Sequence, residues 1–156
     1  ALVVMADLAD DMAAIDRMVQ KMASGYDVVC GSRYMRGGRQ IGGPRFKGFL
    51  SRMAGLTLHW ITGIPTHDVT NSFKMYSARL LQRVVIESRG GFEVGLELVV
   101  KCFVGGGRVT EVASTWRDRT AGQSRFRLVA WLPHYLRWYG YAVGCRFGLF
   151  RPPRLF

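Results

Sequence analysis

Apolar positions in the first part of the chain follow the periods of strands and then of a helix. Residues 1–5 are apolar and end before Asp7, which predicts a buried strand, and residues 27–31 form a second short apolar run. Between them, apolar residues recur at helical spacing after Asp10 and Asp11, two acids that suit a helix N-terminus. A strand, a helix and a strand in this order predict a parallel β-α-β unit.

The rest of the chain predicts further helices and strands, and so an α/β fold. A helix follows the glycine-rich loop 35–44 and ends at Gly63, with one apolar face formed by Phe46, Phe49, Leu50, Met53, Leu56, Trp60 and Ile61. Residues 71–76 and 109–116 are predicted strands. Ser77 is predicted to cap a helix that runs through Glu87, and another helix is predicted over residues 92–104.

From Arg125 the pattern changes to aromatic residues interleaved with basic ones. Such segments are typical of the headgroup region of a membrane. The pattern predicts an α/β domain over residues 1–124 and an amphipathic helical tail over residues 125–156 that binds a membrane interface. Packing of this tail against the domain is the alternative. On the first interpretation, deletion of residues 126–156 abolishes vesicle binding.

The net charge of +11 calls for an anionic partner, and its distribution narrows the choice. Between Asp27 and Asp68 there is no acid but there are six basic residues, and after Asp118 there is no acid but there are seven arginines. A nucleic acid would suit the charge, yet the aromatic residues cluster with apolar ones and form no recognition motif. A phosphate-bearing substrate and an anionic membrane surface are therefore the expected partners, and no nucleic acid is expected.

The cysteines indicate a reducing compartment. Cys30, Cys102 and Cys145 are odd in number and far apart, so they predict reduced thiols in the cytosol rather than a disulfide framework or a zinc site.

Asp7 is the first candidate for chemistry, because it follows a predicted strand. In open α/β sheets, ligands bind beyond the carboxyl ends of the strands. A carboxylate there suits Mg²⁺ or Mn²⁺ bridging nucleotide phosphates. Asp10 and Asp11 either add ligands or merely cap the following helix.

Ligand contacts are predicted at four further places. Arg33 follows a small-residue turn after a strand, and Lys47 and Ser51 share a helix face one turn apart. The loop 118–125 combines two arginines with small polar residues. Asp68 opens a segment that is predicted to form either an Asx-type turn or a polar cluster of the kind that contacts a sugar. On the helix 92–104, Glu93 and Glu97 are predicted to form a solvated face or an ion pair with Lys101.

Six motifs, in order, resemble the polyprenyl-phosphate members of the family-two glycosyltransferases, the group that includes dolichol-phosphate mannose synthase. They are Met-Ala-Asp-Leu-Ala-Asp-Asp at 5–11, Asp-Val-Val-Cys-Gly-Ser-Arg-Tyr at 27–34, Lys-Gly-Phe-Leu-Ser-Arg at 47–52, Asp-Val-Thr-Asn-Ser-Phe-Lys at 68–74, Gly-Phe-Glu-Val-Gly-Leu-Glu-Leu at 91–98, and Arg-Val-Thr-Glu-Val at 108–112 leading to Asp-Arg-Thr-Ala-Gly-Gln-Ser-Arg at 118–125. The resemblance implies a GT-A fold, a Rossmann-like mixed sheet flanked by helices. It also implies that the N-terminal nucleotide-binding half is missing from this chain.

The resemblance also assigns roles. It implies a metal-assisted, inverting transfer of mannose or glucose from a donor of the GDP-mannose or UDP-glucose type to polyprenyl or dolichyl phosphate, at the cytoplasmic face of a membrane. Asp7 would hold Mg²⁺ or Mn²⁺ and act in catalysis together with Arg119. The acceptor phosphate would lie at Arg33, Lys47 and Ser51, and the donor and its sugar at Asp68, Asn71, Arg119 and Ser124.

Three positions depart from the family pattern. Met5 replaces the first carboxylate of the Asp-x-Asp metal motif, and Lys47 stands where the family usually has arginine. Asn71-Ser72-Phe73 replaces the usual Ser-Gly-Phe. A non-catalytic, membrane-binding relative of the same fold is therefore the alternative, and the chain alone is expected to turn over little.

Overall fold

The computed structural model describes residues 1–89, 91–118 and 128–156. Six strands are present in these ranges: β1 (Leu2–Val3), β2 (Val28–Ser32), β3 (Arg39–Ile41), β4 (Lys74–Tyr76), β5 (Val109–Ala113) and β6 (Thr115–Arg117). A 3₁₀ turn, Met12–Ala14, precedes the first of five helices: α1 (Ile15–Ala23), α2 (Arg45–Thr62), α3 (Ala78–Leu81), α4 (Val94–Val104) and α5 (Leu128–Arg146).

The main sheet has the order β1-β4-β2-β5 and is mixed. β4 is antiparallel to both β1 and β2, whereas β2 and β5 are parallel. β1 and β2 thus run in the same direction, as the predicted β-α-β unit requires, but β4 lies between them. The prediction of an α/β fold with a mixed sheet flanked by helices is confirmed. β3 and β6 form a separate parallel pair.

Both faces of the main sheet are covered. Every residue of β2 is buried, and because side chains alternate along a strand, Val28 and Cys30 join one core cluster while Val29 joins the other. Met18 of α1 belongs to the Val29 cluster, and α4 packs into the other. The carboxyl ends of β1, β2 and β5 meet at one edge of the sheet.

The predicted strands 1–5 and 71–76 are shorter in the structure, at Leu2–Val3 and Lys74–Tyr76, and two further elements also differ in their bounds. Ser77 caps a helix as predicted, since its Oγ accepts a hydrogen bond from the Leu80 amide at 3.1 Å, but this helix ends at Leu81 rather than Glu87. The amides of Glu87 and Ser88 donate instead to the Glu97 carboxylate, at 2.7 and 2.8 Å. The predicted strand 109–116 is interrupted at residue 114, where β5 gives way to β6.

The tail begins with α5, which contains Pro133 and packs against α2 and α4. Trp138 and Ala142 are buried in the core, and the Tyr139 hydroxyl donates to Thr57 Oγ1 of α2 at 2.9 Å. One face of α5 therefore follows the alternative of packing on the domain. Membrane binding by its other face stays a prediction. Within the described ranges, no helix combines the length and the apolar composition needed to cross a bilayer.

Candidate functional site

A buried ion pair between Arg33 and Asp68 lies at the carboxyl end of β2. The guanidinium donates to both Asp68 oxygens, at 2.7 and 2.8 Å, and the Arg33 amide donates to the same carboxylate at 2.9 Å. The Asp68 side chain is fully buried and that of Arg33 is 11% exposed. Burial alone would lower the pKa of Arg33, but the Asp68 carboxylate raises it above its ordinary value. The Arg33 guanidinium is therefore held in a fixed position by the Asp68 carboxylate.

Ser51 and Thr70 extend this pair into a cluster. Arg33 Nη2 donates to Ser51 Oγ at 2.9 Å and to Thr70 Oγ1 at 3.4 Å, and the two hydroxyls are hydrogen-bonded to each other. The strand end, α2 and the segment after Asp68 each contribute a side chain. Three residues singled out in separate motifs, Arg33, Ser51 and Asp68, are thus brought together, and we call these three with Thr70 the Arg33–Asp68 cluster.

Tyr34 ties this cluster to its surroundings. The Arg33 guanidinium lies over the Tyr34 ring, 4.8 Å from its centre. The Tyr34 hydroxyl donates to Gln40 Oε1 at 3.0 Å and to the Gly48 carbonyl of α2 at 3.3 Å. Tyr34 stands in the motif 27–34, and its aromatic ring directly after an arginine is the only signal that the sequence offers for this role.

Asn71 is buried beside the same strand end. Its Nδ2 donates to the Gly31 carbonyl at 2.8 Å, which fastens the segment after Asp68 to the end of β2. A contact between Asn71 and a sugar stays a prediction.

Lys74 and Glu111 hold the segment 66–71 in place through hydrogen bonds. The sequence analysis assigned no role to either residue. Lys74 is fully buried and its ammonium donates to the carbonyls of Val69 and Asn71. Burial lowers the pKa of Lys74. The Glu111 carboxylate accepts from the His67 amide at 2.8 Å and from His67 Nδ1 at 2.6 Å. Lys74 and Glu111 both lie in the motifs given above. Their sequence signal is that each is a charged residue within a predicted buried strand.

Asp7, Asp10 and Asp11 follow β1 and are each bound by a nearby amide. Asp7 Oδ1 accepts from the Ala9 amide at 3.2 Å, and Asp10 Oδ2 from the Met5 amide at 3.1 Å. Asp11 caps the following turn, as the plainer interpretation predicted. Asp10 does not cap the helix. Burial raises the pKa of Asp10, against the lowering effect of the Met5 amide.

The loop that carries these acids lies close to the Arg33–Asp68 cluster. Asp7, Arg33 and Lys74 all act electrostatically on Asp10. The Arg117 amide of β6 donates to the Ala9 carbonyl at 2.9 Å, so the end of β6 lies beside the same loop. Asp10, which is buried in this loop, therefore lies within electrostatic range of Arg33 at the end of β2.

A divalent cation fits the chemistry of Asp7. In the part of the chain that the structure describes, no three His, Cys, Asp or Glu side chains are grouped as a metal site. Mg²⁺, however, is commonly held by one or two carboxylates together with substrate phosphates and water. Asp7 is exposed at the strand end and supplies one hard oxygen donor.

The remaining predicted site residues are Lys47, Arg119 and Ser124. Lys47 lies on α2 one turn before Ser51 and is partly buried. Arg119 and Ser124 lie outside the described residues. Asp118, the last described residue before them, lies next to β3, where its amide donates to the Ile41 carbonyl at 2.9 Å.

The two acids of α4 are not solvated. Glu93 and Glu97 are buried, so the solvated-face alternative is wrong, and Glu97 pairs with Lys101 at 2.7 Å, as the other alternative predicted.

One cleft lies between the segment 86–89 and α5, and another opens beside the start of α4. The first, of about 480 Å³, contains none of the predicted site residues and is lined by Ile86, Glu87, Ser88, Arg89, Glu93, His134, Arg137 and Trp138. The other, of about 290 Å³, is largely apolar and is lined by Val3, Met5, Ser72, Tyr76, Gly91, Phe92, Val94, Gly95 and Leu98. The smaller cleft reaches Met5 and Ser72, which are near neighbours of Asp7 and Asn71 in the chain. Its position makes it the more relevant of the two.

Known proteins are similar in sequence to this chain over part of its length. No family model matches the chain. It is 26% identical over 114 residues to the polyprenol monophosphomannose synthase of Mycolicibacterium smegmatis, which covers 71% of this chain and 43% of that protein. It is 30% identical over 103 residues to the undecaprenyl-phosphate mannosyltransferase of Micrococcus luteus, covering 64% and 42%. The matches thus span less than half the length of these relatives. They confirm the resemblance drawn from the motifs, since the chain is similar in sequence to proteins named as polyprenyl-phosphate mannosyltransferases.

Proposed function

We propose that this chain forms part of a glycosyltransferase that moves mannose from a nucleotide-sugar donor to a polyprenyl phosphate at the cytoplasmic face of a membrane. The carrying observation is the Arg33–Asp68 cluster, which is built at the end of β2, at the same edge of the sheet as the loop that follows β1. Names of relatives support the class of reaction. GDP-mannose is the proposed donor, and a UDP-glucose type of donor is the second possibility.

The acceptor in this reaction is already an anion, so a strong general base is unnecessary. Alignment and neutralisation of charge then supply most of the rate. Within the cluster, the charges of Arg33 and Asp68 cancel. We therefore assign to Arg33 the orientation of the Ser51 hydroxyl, and to Lys47 and the neighbouring arginines the net positive field that attracts the acceptor phosphate. Inversion by direct displacement is the proposed stereochemistry.

Asp7 is assigned to the donor side. It would hold Mg²⁺ or Mn²⁺, which would neutralise the departing diphosphate. Arg119 and Ser124 are proposed to contact the donor phosphates, and Asn71 to lie beside the sugar.

The test compares two aspartates in the full protein. Transfer of labelled mannose from GDP-mannose to a short-chain polyprenyl phosphate is measured for Asp7→Asn and for Asp16→Asn, an exposed acid on α1 that serves as the matched control. Loss of a group that stabilises charge in the transition state lowers kcat ~100-fold or more, so Asp7→Asn should fall by this factor. Asp16→Asn should leave the rate unchanged. Equal rates for both variants would contradict the proposal, and UDP-glucose in parallel identifies the donor.

One observation favours a second function, a membrane-binding relative without catalysis. Met5 occupies the position of the family's first metal-binding carboxylate, and its amide is held by Asp10. Absence of sugar transfer and of donor hydrolysis with every donor and metal tested, in a protein that still binds vesicles, would support this alternative.

A further inference from the structure

Glu111 is a nearly buried carboxylate in the middle of β5 whose hydrogen bonds reach a distant segment of the chain. Its side chain is 9% exposed. It accepts from Thr66 Oγ1 at 3.1 Å, from the His67 amide at 2.8 Å and from His67 Nδ1 at 2.6 Å. Removing a carboxylate from water is costly unless donors satisfy its oxygens, and here three donors from two adjacent residues do so. Glu111 therefore fastens residues 66 and 67 to the main sheet.

The hydrogen bonds continue from Glu111 to the Arg33–Asp68 cluster. Thr66 Oγ1, which donates to Glu111, also accepts from the Asp68 amide at 3.2 Å. The Asp68 carboxylate accepts from Arg33, and Arg33 Nη2 in turn donates to Ser51 Oγ at 2.9 Å. Thr66 and Asp68 are completely buried, so these bonds are shielded from water. A continuous series of hydrogen bonds thus joins β5 to the Ser51 hydroxyl of α2.

The segment that carries Asp68 depends on such anchors because residues 66–71 form neither helix nor strand. Lys74 donates to the carbonyls of Val69 and Asn71, which follow Asp68 in the chain. Glu111 binds the two residues that precede it. A helix or a strand fixes its side chains through its own backbone hydrogen bonds, and this segment has no such ladder. The direction of the Asp68 carboxylate is therefore set by the two anchors.

Helix α2 packs directly on the residues that Glu111 holds. A Cβ on Gly55 would come within 2.0 Å of the His67 carbonyl oxygen, so backbone lies against backbone at this point. A displacement of residues 66 and 67 would move α2, which carries Ser51, together with Asp68. Both sides of the cluster thus depend on the same carboxylate of β5.

We propose that Glu111 is a positioning residue for the acceptor phosphate: it fixes residues 66 and 67, orients Asp68 through them, and so holds Arg33 against Ser51. This inference rests on the proposed function, which places the acceptor phosphate at this cluster. Glu111 touches no reacting atom, and it acts through the hydrogen bonds that it accepts rather than through its charge.

Two substitutions at position 111 separate hydrogen bonding from charge. Glu111→Gln removes the charge but keeps an oxygen that can accept from Thr66 and from the His67 amide, and its NH₂ group can donate to His67 Nδ1 in the other tautomer. Glu111→Met keeps a side chain of similar length and offers no comparable acceptor. The positioning role predicts that Glu111→Gln resembles the parent and that Glu111→Met does not.

The first readout is the NMR signal of Arg33 Nε–H, the group that donates to Asp68 Oδ2 at 2.7 Å. Its assignment comes from its loss in Arg33→Lys. A nearly buried guanidinium paired with a carboxylate differs in shift and in proton exchange from exposed arginines. We expect the signal to persist in Glu111→Gln and to move to the exposed-arginine range, or to vanish, in Glu111→Met. The measurement needs no enzyme activity. An unchanged signal in Glu111→Met would overturn the proposal, as would equal loss in both variants.

The second readout is transfer of mannose from GDP-mannose to a short-chain polyprenyl phosphate by the full protein. Glu111→Met should lower kcat/KM for the acceptor ~100-fold, because a misplacement of about 1 Å can have an effect of this size. The loss should appear mainly as a higher acceptor KM, and Glu111→Gln should retain most of the parent's value. Unchanged acceptor kinetics in Glu111→Met, in a protein that transfers sugar, would contradict the positioning role.

A milder pair of variants covers the case in which Glu111→Met does not fold. Thr66→Val breaks the series of hydrogen bonds at one hydroxyl, and loss of one such bond corresponds to about a fivefold rise in acceptor KM. The matched control is Thr110→Val, the same substitution at the neighbour of Glu111 in β5, whose side chain points to the other face of the sheet. It should leave both readouts unchanged, and equal effects of the two threonine variants would overturn the proposal.

Failure of this inference and failure of the proposed function give different results. Absence of sugar transfer in the parent and in every variant, with an Arg33 signal that changes in Thr66→Val but not in Thr110→Val, would uphold positioning by Glu111 and remove the proposed function. Transfer by the parent, with an Arg33 signal and an acceptor KM that ignore both Glu111→Met and Thr66→Val, would do the reverse.

Discussion

Helices α2 and α4 are both rich in apolar residues, yet they bury opposite kinds of side chain. In α4, eight consecutive residues from Gly95 to Cys102 are buried, including Glu97 and Lys101. In α2, the buried positions are mainly small or polar, while Phe49 and Trp60 face outward. What a helix buries is set by its packing partners. α4 lies between the sheet and α5. The inner face of α2 instead packs on the backbone before Asp68 and on the Arg33–Asp68 cluster, with Leu58 entering the hydrophobic core.

The charges of α4 are tolerated because every one is paired. Glu97 accepts from the amides of Glu87 and Ser88 and from the Lys101 ammonium, which also donates to the Val85 carbonyl at 2.6 Å. A buried carboxylate with such partners is costly to remove, because the groups left behind stay buried without compensation. The network fastens the segment 85–88 onto α4.

The largest expected effect on folding comes from breaking that network. Glu97→Ala should lower the free energy of unfolding by about 3–5 kcal/mol, since it leaves the partly buried amides of Glu87 and Ser88 without their acceptor and removes the buried carboxylate that pairs with the Lys101 ammonium. Urea denaturation measures the change. The matched control is Arg137→Ala, which removes an exposed partner of Glu87 and should cost less than about 1 kcal/mol. Equal losses for the two variants would show that the network is not what secures the segment.

A somewhat smaller loss is expected from the inner face of α2. Leu58→Ala removes a completely buried side chain and should cost about 2–5 kcal/mol by cavity formation, again measured by urea denaturation. A cost below about 0.5 kcal/mol would mean that α2 packs loosely. The contrast drawn between the two faces of α2 would then fail.

Acid should weaken the α4 network selectively. Burial tends to raise the pKa of Glu97, but the hydrogen bonds from Lys101, Ser88 and Glu87 bring it below its ordinary value of 4.5. A carboxyl whose pKa is lowered in the folded state contributes stability above its unfolded pKa, and this contribution is lost as pH falls through the folded value. Unfolding measured between neutral pH and pH values below about 4.5 should therefore show a decline that Glu97→Gln lacks. Parallel pH profiles would contradict this assignment.

The smallest effect on folding is expected on the outer face of α2. Phe49→Ser should change the free energy of unfolding by no more than about 0.5 kcal/mol, because the ring is already in water. Thermal and urea unfolding of the variant beside Leu58→Ala test this directly. A loss comparable to that of Leu58→Ala would show that Phe49 packs against the fold, and the contrast between the two faces of α2 would be wrong.

Local pattern was sufficient for much of the fold. The helix after the loop 35–44, the strand before Arg33 and the Ser77 cap follow from spacing and capping chemistry alone. The insertion of β4 between β1 and β2 could not be predicted, because it depends on pairing between distant segments. The helix predicted through Glu87 is shorter in the structure for a similar reason. The amides of Glu87 and Ser88 donate to the carboxylate of Glu97, which lies on another helix.

For the site, the sequence indicated candidate residues and the structure shows which of them are in contact. Arg33, Ser51 and Asp68 were each predicted to contact ligand, and nothing in their spacing indicated that they bind one another. The apolar face of α2 was visible in the sequence, but not its direction, because hydrophobic period carries no information about what lies opposite. Gly55, which lets the helix approach the segment before Asp68, is the residue that decides it.

Ser51 lies on the inner face of α2, and Phe46, Phe49 and Trp60 are exposed on its outer face. Under the proposed function, the acceptor phosphate would then bind about 10 Å, the width of one helix, from an exposed apolar surface. Drawing an isoprenoid chain out of a bilayer costs about 0.8 kcal/mol for each methylene exposed to water. A bilayer that met this outer face would let the phosphate end of the proposed acceptor reach the cluster while its tail stayed in the hydrocarbon. Chain length would then have little influence on acceptor affinity.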